Sequence, residues 1–167
     1  MRYRLHDYTS AGAYFVTFCT LRRRQIFATV AGSTSVLTKA GQAVMKAWNE
    51  LPLFYPAVAL DAFAVMPDHV HGIIFLLDRR YESRTPQMGE PDLPSLSQVM
   101  RCLKTRSGRA INLLNGSSGA VWQSGFIDRV VRNESELAKF RGYIETNPLR
   151  ETLNLKDRRV GDPPLPE

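Results

Sequence analysis

The sequence lacks the features that would direct the chain to a membrane or an oxidising compartment. Its two cysteines, Cys19 and Cys102, lie far apart and form no CxxC pair, so we expect reduced, mostly buried thiols. No apolar run reaches the roughly 18 residues that a transmembrane helix needs. The first ten residues are polar and carry Arg2, Arg4 and Asp7, which does not fit a signal peptide. These absences predict a soluble, cytoplasmic protein.

The composition is that of an ordinary globular domain with an excess of positive charge. A length of 167 residues suffices for one domain with its own core and does not favour a second. Hydrophobic residues make up 44% and charged residues 23%, which excludes a disordered chain. The net charge of +6 favours a polyanionic partner, nucleic acid first, although a solvated basic surface would have the same charge.

The first half of the chain alternates between strand-like and helix-like patterns. Ala13–Thr20 is β-branched and aromatic, which predicts a buried strand, and Val30–Ser35 is predicted to be a loop. Apolar residues at helical spacing predict an amphipathic helix: Leu37, Ala40, Val44, Trp48 and Leu51. Pro52 is expected to end this helix.

A hairpin is predicted next, and a long loop follows it. Val58–Met66 and His69–Leu77 are strand-like runs, and Pro67-Asp68 between them is typical of a tight turn. Asp78–Pro94 is rich in proline and charge and is predicted to be a surface loop.

The second half predicts two more helices around a last strand. Ser95 is expected to cap a helix whose apolar residues share one face: Leu96, Val99, Met100, Leu103, Ala110, Ile111 and Leu114. Ala120–Val131 is strand-like, with an irregularity at Ser124-Gly125. Asn133 and Glu136 predict a capping-box variant for a third helix, which Pro148 should end. The buried stripe of that helix is predicted to be Leu137, Phe140 and Ile144.

The order of elements, β-α-β-β-α-β-α, predicts an α+β fold of the ferredoxin-like, split βαβ type. In that arrangement an antiparallel sheet carries two helices on one face, and a further C-terminal helix follows here. We expect one domain over residues 1–150 and a polar tail over residues 151–167.

Two histidines form a candidate metal site at the start of the second hairpin strand. His69 and His71 are two residues apart, so both imidazoles should project from the same face of the strand, while Val70 points into the core. Two neutral imidazoles side by side are suited to a divalent cation. A chance pair of surface histidines is the alternative, but the chain has only three histidines in all.

A tyrosine and an asparagine form a second candidate on the last helix. Tyr143 and Asn147 are four residues apart and therefore neighbours on one helical face, at the edge of the apolar stripe. A packed tyrosine and a helix-end asparagine would explain the pair taken alone. Together with His69 and His71, however, they suggest phosphodiester chemistry. A cation would neutralise the phosphate, Asn147 would add an oxygen ligand, and Tyr143 would attack and store the bond energy covalently.

The sequence resembles a known family, the REP-associated tyrosine transposases among the HUH nucleases. His69-Val70-His71 matches the His-hydrophobe-His motif, and YIETNP matches the Tyr-Ile-x-x-Asn-Pro signature that contains the tyrosine. The run VWQSGFIDRVVRNESEL resembles the segment before that helix, and the likeness covers about Tyr14 to Arg150. Relaxases and rolling-circle initiators fit less well, because Tyr143 follows the histidines and Thr146 stands where a lysine is often found.

The resemblance implies a metal-dependent transposase that cleaves and rejoins single-stranded DNA at palindromic hairpins. Tyr143 would be the nucleophile and form a 5′-phosphotyrosine. His69, His71 and Asn147 would bind Mg²⁺ or Mn²⁺. The protein would act as a monomer or a homodimer.

Basic residues near these motifs predict a path for DNA. Phosphate contacts of this kind give affinity without sequence information. The candidates are Arg22, Arg23, Arg24, Lys104, Arg106, Arg109, Arg129, Arg132, Arg141 and Arg150. Tyr81, Trp122 and Phe126 are candidates for stacking on bases, although the last two are also expected in the core.

Two non-catalytic alternatives remain open. An RRM-like RNA-binding module has the same sheet, but no RNP-like string is present. A regulator on the same fold would bind palindromic DNA without cutting it.

Overall fold

The computed structural model describes residues 11–31, 34–77 and 94–153, and the side chains of 30, 31, 34 and 148–153 are not described. The strands are β1 (Gly12–Cys19), β2 (Ala28–Ala31), β3 (Thr34–Leu37), β4 (Val58–Val65), β5 (His69–Leu76) and β6 (Ile127–Val131). The α-helices are α1 (Lys39–Asn49), α2 (Leu51–Phe54), α3 (Leu96–Asn115) and α4 (Glu134–Leu153). A short 3₁₀ turn spans Leu21–Arg23.

The main sheet has the strand order β4-β5-β1-β6, with every neighbouring pair antiparallel. β1 and β4 are therefore parallel, with β5 between them, and α1 lies on the connection from β1 to β4. This is the split βαβ arrangement of the ferredoxin-like fold, as predicted. The hairpin of β4 and β5 is confirmed, and its tight turn is closed by the Met66 amide, which donates to the His69 carbonyl (2.8 Å).

Helices cover both faces of this sheet, and the two-residue period of the strands decides which side chain meets which helix. On one face, Tyr14 and Val16 of β1 and Val70 of β5 pack with α1 and α3 in the larger cluster. On the other face, Phe15 and Ile73 pack with the stripe of α4. That stripe contains the predicted Leu137, Phe140 and Ile144, all buried.

Gly72 directly follows His71 in β5. The absence of a side chain at this position allows Trp48 and Phe63 to pack closely against the strand. A Cβ at this position would lie 2.4 Å from the Trp48 ring and 2.9 Å from the Phe63 ring. Trp48 and Phe63 stack with their ring centroids 4.1 Å apart. Because Gly72 has no side chain, Trp48 of α1 packs directly against the strand that carries His69 and His71.

Two predictions in the first half of the chain are wrong. Four residues of the predicted loop Val30–Ser35 lie instead in the paired strands β2 and β3, because pairing between Ala28–Ala31 and Thr34–Leu37 satisfies the backbone of both segments. They are Val30, Ala31, Thr34 and Ser35. Pro52 does not end the predicted helix, because α1 already ends at Asn49. It stands in the first turn of α2, where a missing N–H costs nothing. Thr38 caps α1, accepting from the Gly41 amide (3.2 Å).

Two predictions in the second half also need correction. Regular strand structure in the predicted strand Ala120–Val131 is limited to β6, and Trp122 forms only an isolated bridge with Thr20. Pro148 does not end the last helix, because α4 continues to Leu153 and so crosses the predicted boundary at residue 150. A proline inside a helix removes one backbone hydrogen bond and is costly, but it does not forbid the helix.

The predicted helix caps are confirmed. Ser95 and Gln98 form a capping box at the start of α3. Asn133 Oδ1 accepts from the Glu136 amide (2.9 Å), and the Glu136 carboxylate accepts from the Arg132 amide (2.9 Å). Residues 78–93 of the predicted loop, including Tyr81, lie outside the described residues, as does the tail from 154 onward. Within the described part of the chain, none of the helices combines the length and apolarity of a membrane span.

Candidate active site

Backbone hydrogen bonds hold the turn that leads into the histidine strand. The Thr20 amide donates to the Asp68 carbonyl (2.8 Å), and the Phe27 amide donates to the Pro67 carbonyl (3.0 Å). On the sheet itself, His69 lies opposite Cys19 and His71 lies opposite Thr17 of β1. The two histidines therefore project from a firmly supported part of the central strands.

The imidazoles of His69 and His71 converge on each other. Their Nε2 atoms are 3.1 Å apart, and their rings meet nearly at right angles with centroids 4.7 Å apart. His69 is 2% and His71 0% exposed, on the face of the sheet that α4 covers. The prediction that both side chains share one face, with Val70 on the other, is confirmed.

The other ring nitrogen of each histidine has a protein partner. His69 Nδ1 lies 2.6 Å from the Asp68 carboxylate, and His71 Nδ1 lies 2.7 Å from Thr17 Oγ1. Because a carboxylate only accepts hydrogen bonds, His69 Nδ1 donates to Asp68, and Nε2 is the ring nitrogen that faces His71. These contacts orient both rings with their Nε2 atoms toward a common point.

Burial keeps His71 neutral. The pKa of His71 is lowered to about 2, first by burial and then by the nearby His69 and Arg23. A neutral imidazole is the form that binds metals. Two converging imidazoles with fixed outer nitrogens are therefore a donor set suited to a divalent cation.

Helix α4 brings Tyr143 to this pair. The Tyr143 ring lies 5.2 Å from the His71 ring and 6.1 Å from the Phe15 ring, centroid to centroid, in edge-on contacts. Phe140, one turn earlier, stacks on Phe15 at 4.6 Å. Tyr143 is half-buried, as predicted from its place at the edge of the stripe. Two motifs far apart in the sequence thus meet in the folded chain.

Asn147 lies one turn beyond Tyr143 and is 8% exposed. A buried polar side chain on the sheet-facing side of α4 fits the predicted third ligand. That role stays a prediction.

An ion pair that sequence reasoning missed fastens α4 to the edge of the sheet. Arg141 Nε lies 3.0 Å and 3.1 Å from the two carboxylate oxygens of Asp61 on β4. The hydrogen bond from Arg141 is the largest of the effects that lower the pKa of Asp61. The register of β4 against β5 shifts between Leu60 and Phe63, around Asp61. No sequence pattern marks such an irregularity.

The fold is similar to that of a protein of known structure. A solved REP-associated tyrosine transposase superimposes with a TM-score of 0.62, covering 90% of this chain and 74% of that protein at 22% identity. The chain has the fold of a REP-associated tyrosine transposase. That transposase is bound to a REP hairpin in its structure.

Other comparisons are less informative. A candidate transposase from Deinococcus radiodurans R1 aligns with a TM-score of 0.49 at 18% identity, over 87% of this chain and 96% of that one. A protein of uncharacterised function from Haemophilus influenzae is 28% identical over 156 residues, which are 89% of this chain and 87% of the relative. No protein-family model matches the chain.

Several of the basic residues predicted to follow DNA in this transposase-like fold are engaged within the protein. Lys104 Nζ donates to the Gln123 and Gly125 carbonyls (2.5 Å each) and so supports the loop before β6. Arg106 pairs with Glu50 (2.8 Å) and lies over the Phe54 ring. These two, with Arg23 and Arg141, have a visible structural use. Whether they also contact DNA stays a prediction.

Other predicted basic residues present their side chains to solvent. Those that are exposed are Arg22, Arg24, Arg109 and Arg132. Arg129 is half-buried near the Phe140 ring (5.6 Å), and the side chain of Arg150 lies outside the described residues. Trp122 is buried, with its Nε1 donating to Ser107 Oγ (3.0 Å), and Phe126 packs against the larger core cluster. Both aromatic residues therefore have a core role.

Sequence reasoning also missed the residues that support the histidines. Asp68 and Thr17 hold the outer ring nitrogens, and Arg23 pairs with Asp68 (Nε to Oδ2, 3.1 Å). The position of Asp68 directly before the histidine motif was an available signal. The role of Thr17 depended on strand pairing across the sheet and had no local signal.

Proposed function

We propose that this protein is a REP-associated tyrosine transposase, an endonuclease that cuts and rejoins single-stranded DNA through a covalent link to Tyr143. The observation that carries the proposal is the contact between the Tyr143 ring and His71, one of two buried imidazoles with converging Nε2 atoms. A nucleophile beside a candidate cation site is the arrangement that phosphodiester transfer needs.

His69 and His71, with Asn147, are the residues that would hold Mg²⁺ or Mn²⁺. When bound, such a cation neutralises and polarises the scissile phosphate. The chain itself supplies orientation, since Asp68 and Thr17 fix the two rings. It also limits access of water, because the histidines are buried under α4.

Tyr143 supplies the attacking oxygen. Its hydroxyl loses a proton as the bond to phosphorus forms, and the bond from phosphorus to the 3′ oxygen breaks. The departing oxygen gains a proton and becomes a free 3′-hydroxyl, while the 5′ phosphate stays on Tyr143. Because the phosphotyrosine ester retains the bond energy, attack by a 3′-hydroxyl restores the strand without ATP.

The proposed substrate is a DNA hairpin with a single-stranded flank. The net charge of +6 and the exposed arginines provide attraction for phosphates. The shared fold with a hairpin-bound transposase supports the hairpin form. The RRM-like alternative is not supported, because α4 covers the sheet face that such modules leave open, and Phe15 on it is 0% exposed.

The test is a covalent adduct. Wild-type protein incubated with a labelled hairpin oligonucleotide and Mn²⁺ should give a protein–DNA species that survives SDS, with the nucleotide on Tyr143 by mass spectrometry. Tyr143→Phe should remove cleavage and adduct while preserving hairpin affinity, since the ring and its packing remain. Tyr55→Phe is the matched control. Its hydroxyl lies near the Gln98 carbonyl, and the variant should react like wild type.

Three outcomes would contradict the proposal. An adduct on Tyr14 or Tyr55 would overturn the assignment of Tyr143. Cleavage by Tyr143→Phe without adduct would identify water as the attacking group. Tight hairpin binding by the wild type with no cleavage in Mn²⁺ would favour a non-catalytic regulator.

A further inference from the structure

The carboxylate of Asp68 is shared between a candidate metal ligand and an arginine. Its Oδ1 lies 2.6 Å from His69 Nδ1, and its Oδ2 lies 3.1 Å from Arg23 Nε. The Asp68 side chain is only 5% exposed, and that of Arg23 is 25% exposed. A buried carboxylate that binds two groups at once cannot rotate toward one without losing the other.

Arg23 is itself held in place by several contacts. Its Nη1 donates to Cys19 Sγ (2.6 Å), and its backbone amide donates to the Thr20 carbonyl (3.1 Å). Its backbone is left-handed, with φ of 55°, and that of Arg22 is also left-handed, with φ of 57°. Such a conformation costs energy in residues other than glycine and persists where surrounding contacts require it.

The three consecutive arginines of this turn differ in exposure. Arg22 and Arg24 are exposed, whereas Arg23 is half-buried with its guanidinium on Asp68. The basic run therefore contains two exposed arginines and one arginine that is paired inside the protein.

We propose that Arg23 and Asp68 are positioning residues for His69, and that Arg23 serves the cation site rather than the DNA path. This inference rests on the cation site of the proposed function. Asp68 holds the proton of His69 on Nδ1 and directs its Nε2 toward that of His71, and Arg23 fixes Asp68 in the orientation that does so. Outer partners of ligating histidines commonly change metal affinity by about 10- to 100-fold.

The experiment measures Mn²⁺ affinity without DNA, by water-proton relaxation, and hairpin affinity in EDTA. Arg23→Gln and Asp68→Asn should weaken Mn²⁺ binding by about 10-fold or more. Arg22→Gln and Arg24→Gln remove the same charge from neighbouring positions and should leave Mn²⁺ affinity within about twofold. In EDTA, the loss of hairpin affinity should be larger for Arg22→Gln and Arg24→Gln than for Arg23→Gln.

Arg23→Lys tests whether weaker Mn²⁺ binding comes from the lost charge beside Asp68 or from damage to the fold. Lysine keeps the charge beside Asp68, so this variant should recover part of the Mn²⁺ affinity lost in Arg23→Gln. Thermal unfolding of each variant checks that the fold is retained. Equal Mn²⁺ affinity among the three glutamine variants would overturn the inference, and so would wild-type protein that binds no Mn²⁺.

The two proposals fail in different experiments. If the expected Mn²⁺ pattern is found but no adduct forms on Tyr143, the positioning role stands and the transposase function fails. If the adduct forms and Arg23→Gln binds Mn²⁺ like wild type, the function stands and the positioning role fails.

Discussion

At the scale of residues, the two candidate histidines are buried polar groups whose outer ring nitrogens are hydrogen-bonded. Burying a polar side chain is costly unless its hydrogen bonds are made. His69 and His71 meet this condition at Nδ1, through Asp68 and Thr17 respectively. A sheet face that could have been filled by apolar residues alone instead carries two imidazoles beside a tyrosine.

Removing either histidine should abolish most of the adduct formation without weakening hairpin binding. His69→Ala and His71→Ala should each lower adduct formation in Mn²⁺ by at least about 100-fold, because each removes one of the proposed cation ligands. Hairpin affinity in EDTA should change little, since the exposed arginines remain. Gel-based adduct assays and fluorescence anisotropy measure the two effects. Undiminished cleavage by the wild type in EDTA would show that no cation is needed.

At the scale of elements, α4 is the part of the fold on which the proposed chemistry depends. It packs on the sheet through a small apolar cluster around Phe15, Phe140 and Ile144. The ion pair of Arg141 with Asp61 adds a polar attachment two residues before Tyr143. We expect this pair to hold Tyr143 in its position beside His71.

Breaking that ion pair should loosen α4. Asp61→Asn should speed hydrogen exchange in α4 but not in α3, and slow adduct formation several-fold. A double variant with the charges exchanged, Asp61→Arg with Arg141→Asp, should recover part of the rate. Glu50→Gln removes the charge that pairs with Arg106 and joins the α1–α2 junction to α3, and it should leave adduct formation unchanged. Equal rates in Asp61→Asn and wild type would show that the attachment is dispensable.

The same pair makes a prediction about pH. The folded-state pKa of Asp61 is lowered from its ordinary 3.8, so its contribution to stability is fully present above that value. It is lost as pH falls below about 4 and passes through the lowered folded pKa. Urea unfolding should therefore separate wild type from Asp61→Asn at neutral pH, with the difference shrinking toward pH 3. A difference that grows on acidification would contradict this assignment.

At the scale of the whole molecule, the positive charge is divided between structural and exposed groups. Among the described side chains, Lys104 and the exposed Arg106 and Arg141 bind partners inside the protein. The other exposed arginines of the predicted DNA path are Arg22, Arg24, Arg109 and Arg132. Net charge alone therefore overstates the number of groups available for phosphate contact.

Hairpin affinity should fall steeply with salt, because phosphate contacts release counterions. Each phosphate-contacting arginine changed to Gln should reduce the slope of log affinity against log salt by about 1. We expect this for Arg22, Arg24, Arg109 and Arg132, and not for Arg106, whose guanidinium is held by Glu50. Titrations between low and physiological ionic strength measure the slopes. A flat response in the wild type would exclude a backbone path.

Features with a short repeat or a local partner were predictable from the sequence. The two-residue period of a strand placed His69 and His71 on one face and Val70 on the other. Helical spacing predicted the apolar stripe of α4. Ser95 predicted the start of α3, where it forms a capping box with Gln98. These patterns depend on neighbours along the chain, so a single sequence contains them.

Features that depend on distant segments were decided only by the tertiary structure. Asp61 of β4 meets Arg141 of α4, and Asp68 meets Arg23 of the 3₁₀ turn, although the partners lie far apart in the chain. Helix α4 continues past Pro148, against the local preference of proline. The sequence by itself determined which side chains share a face. The folded chain decided which faces meet, because contacts between distant segments are selected by the packing of the whole core rather than by any local pattern.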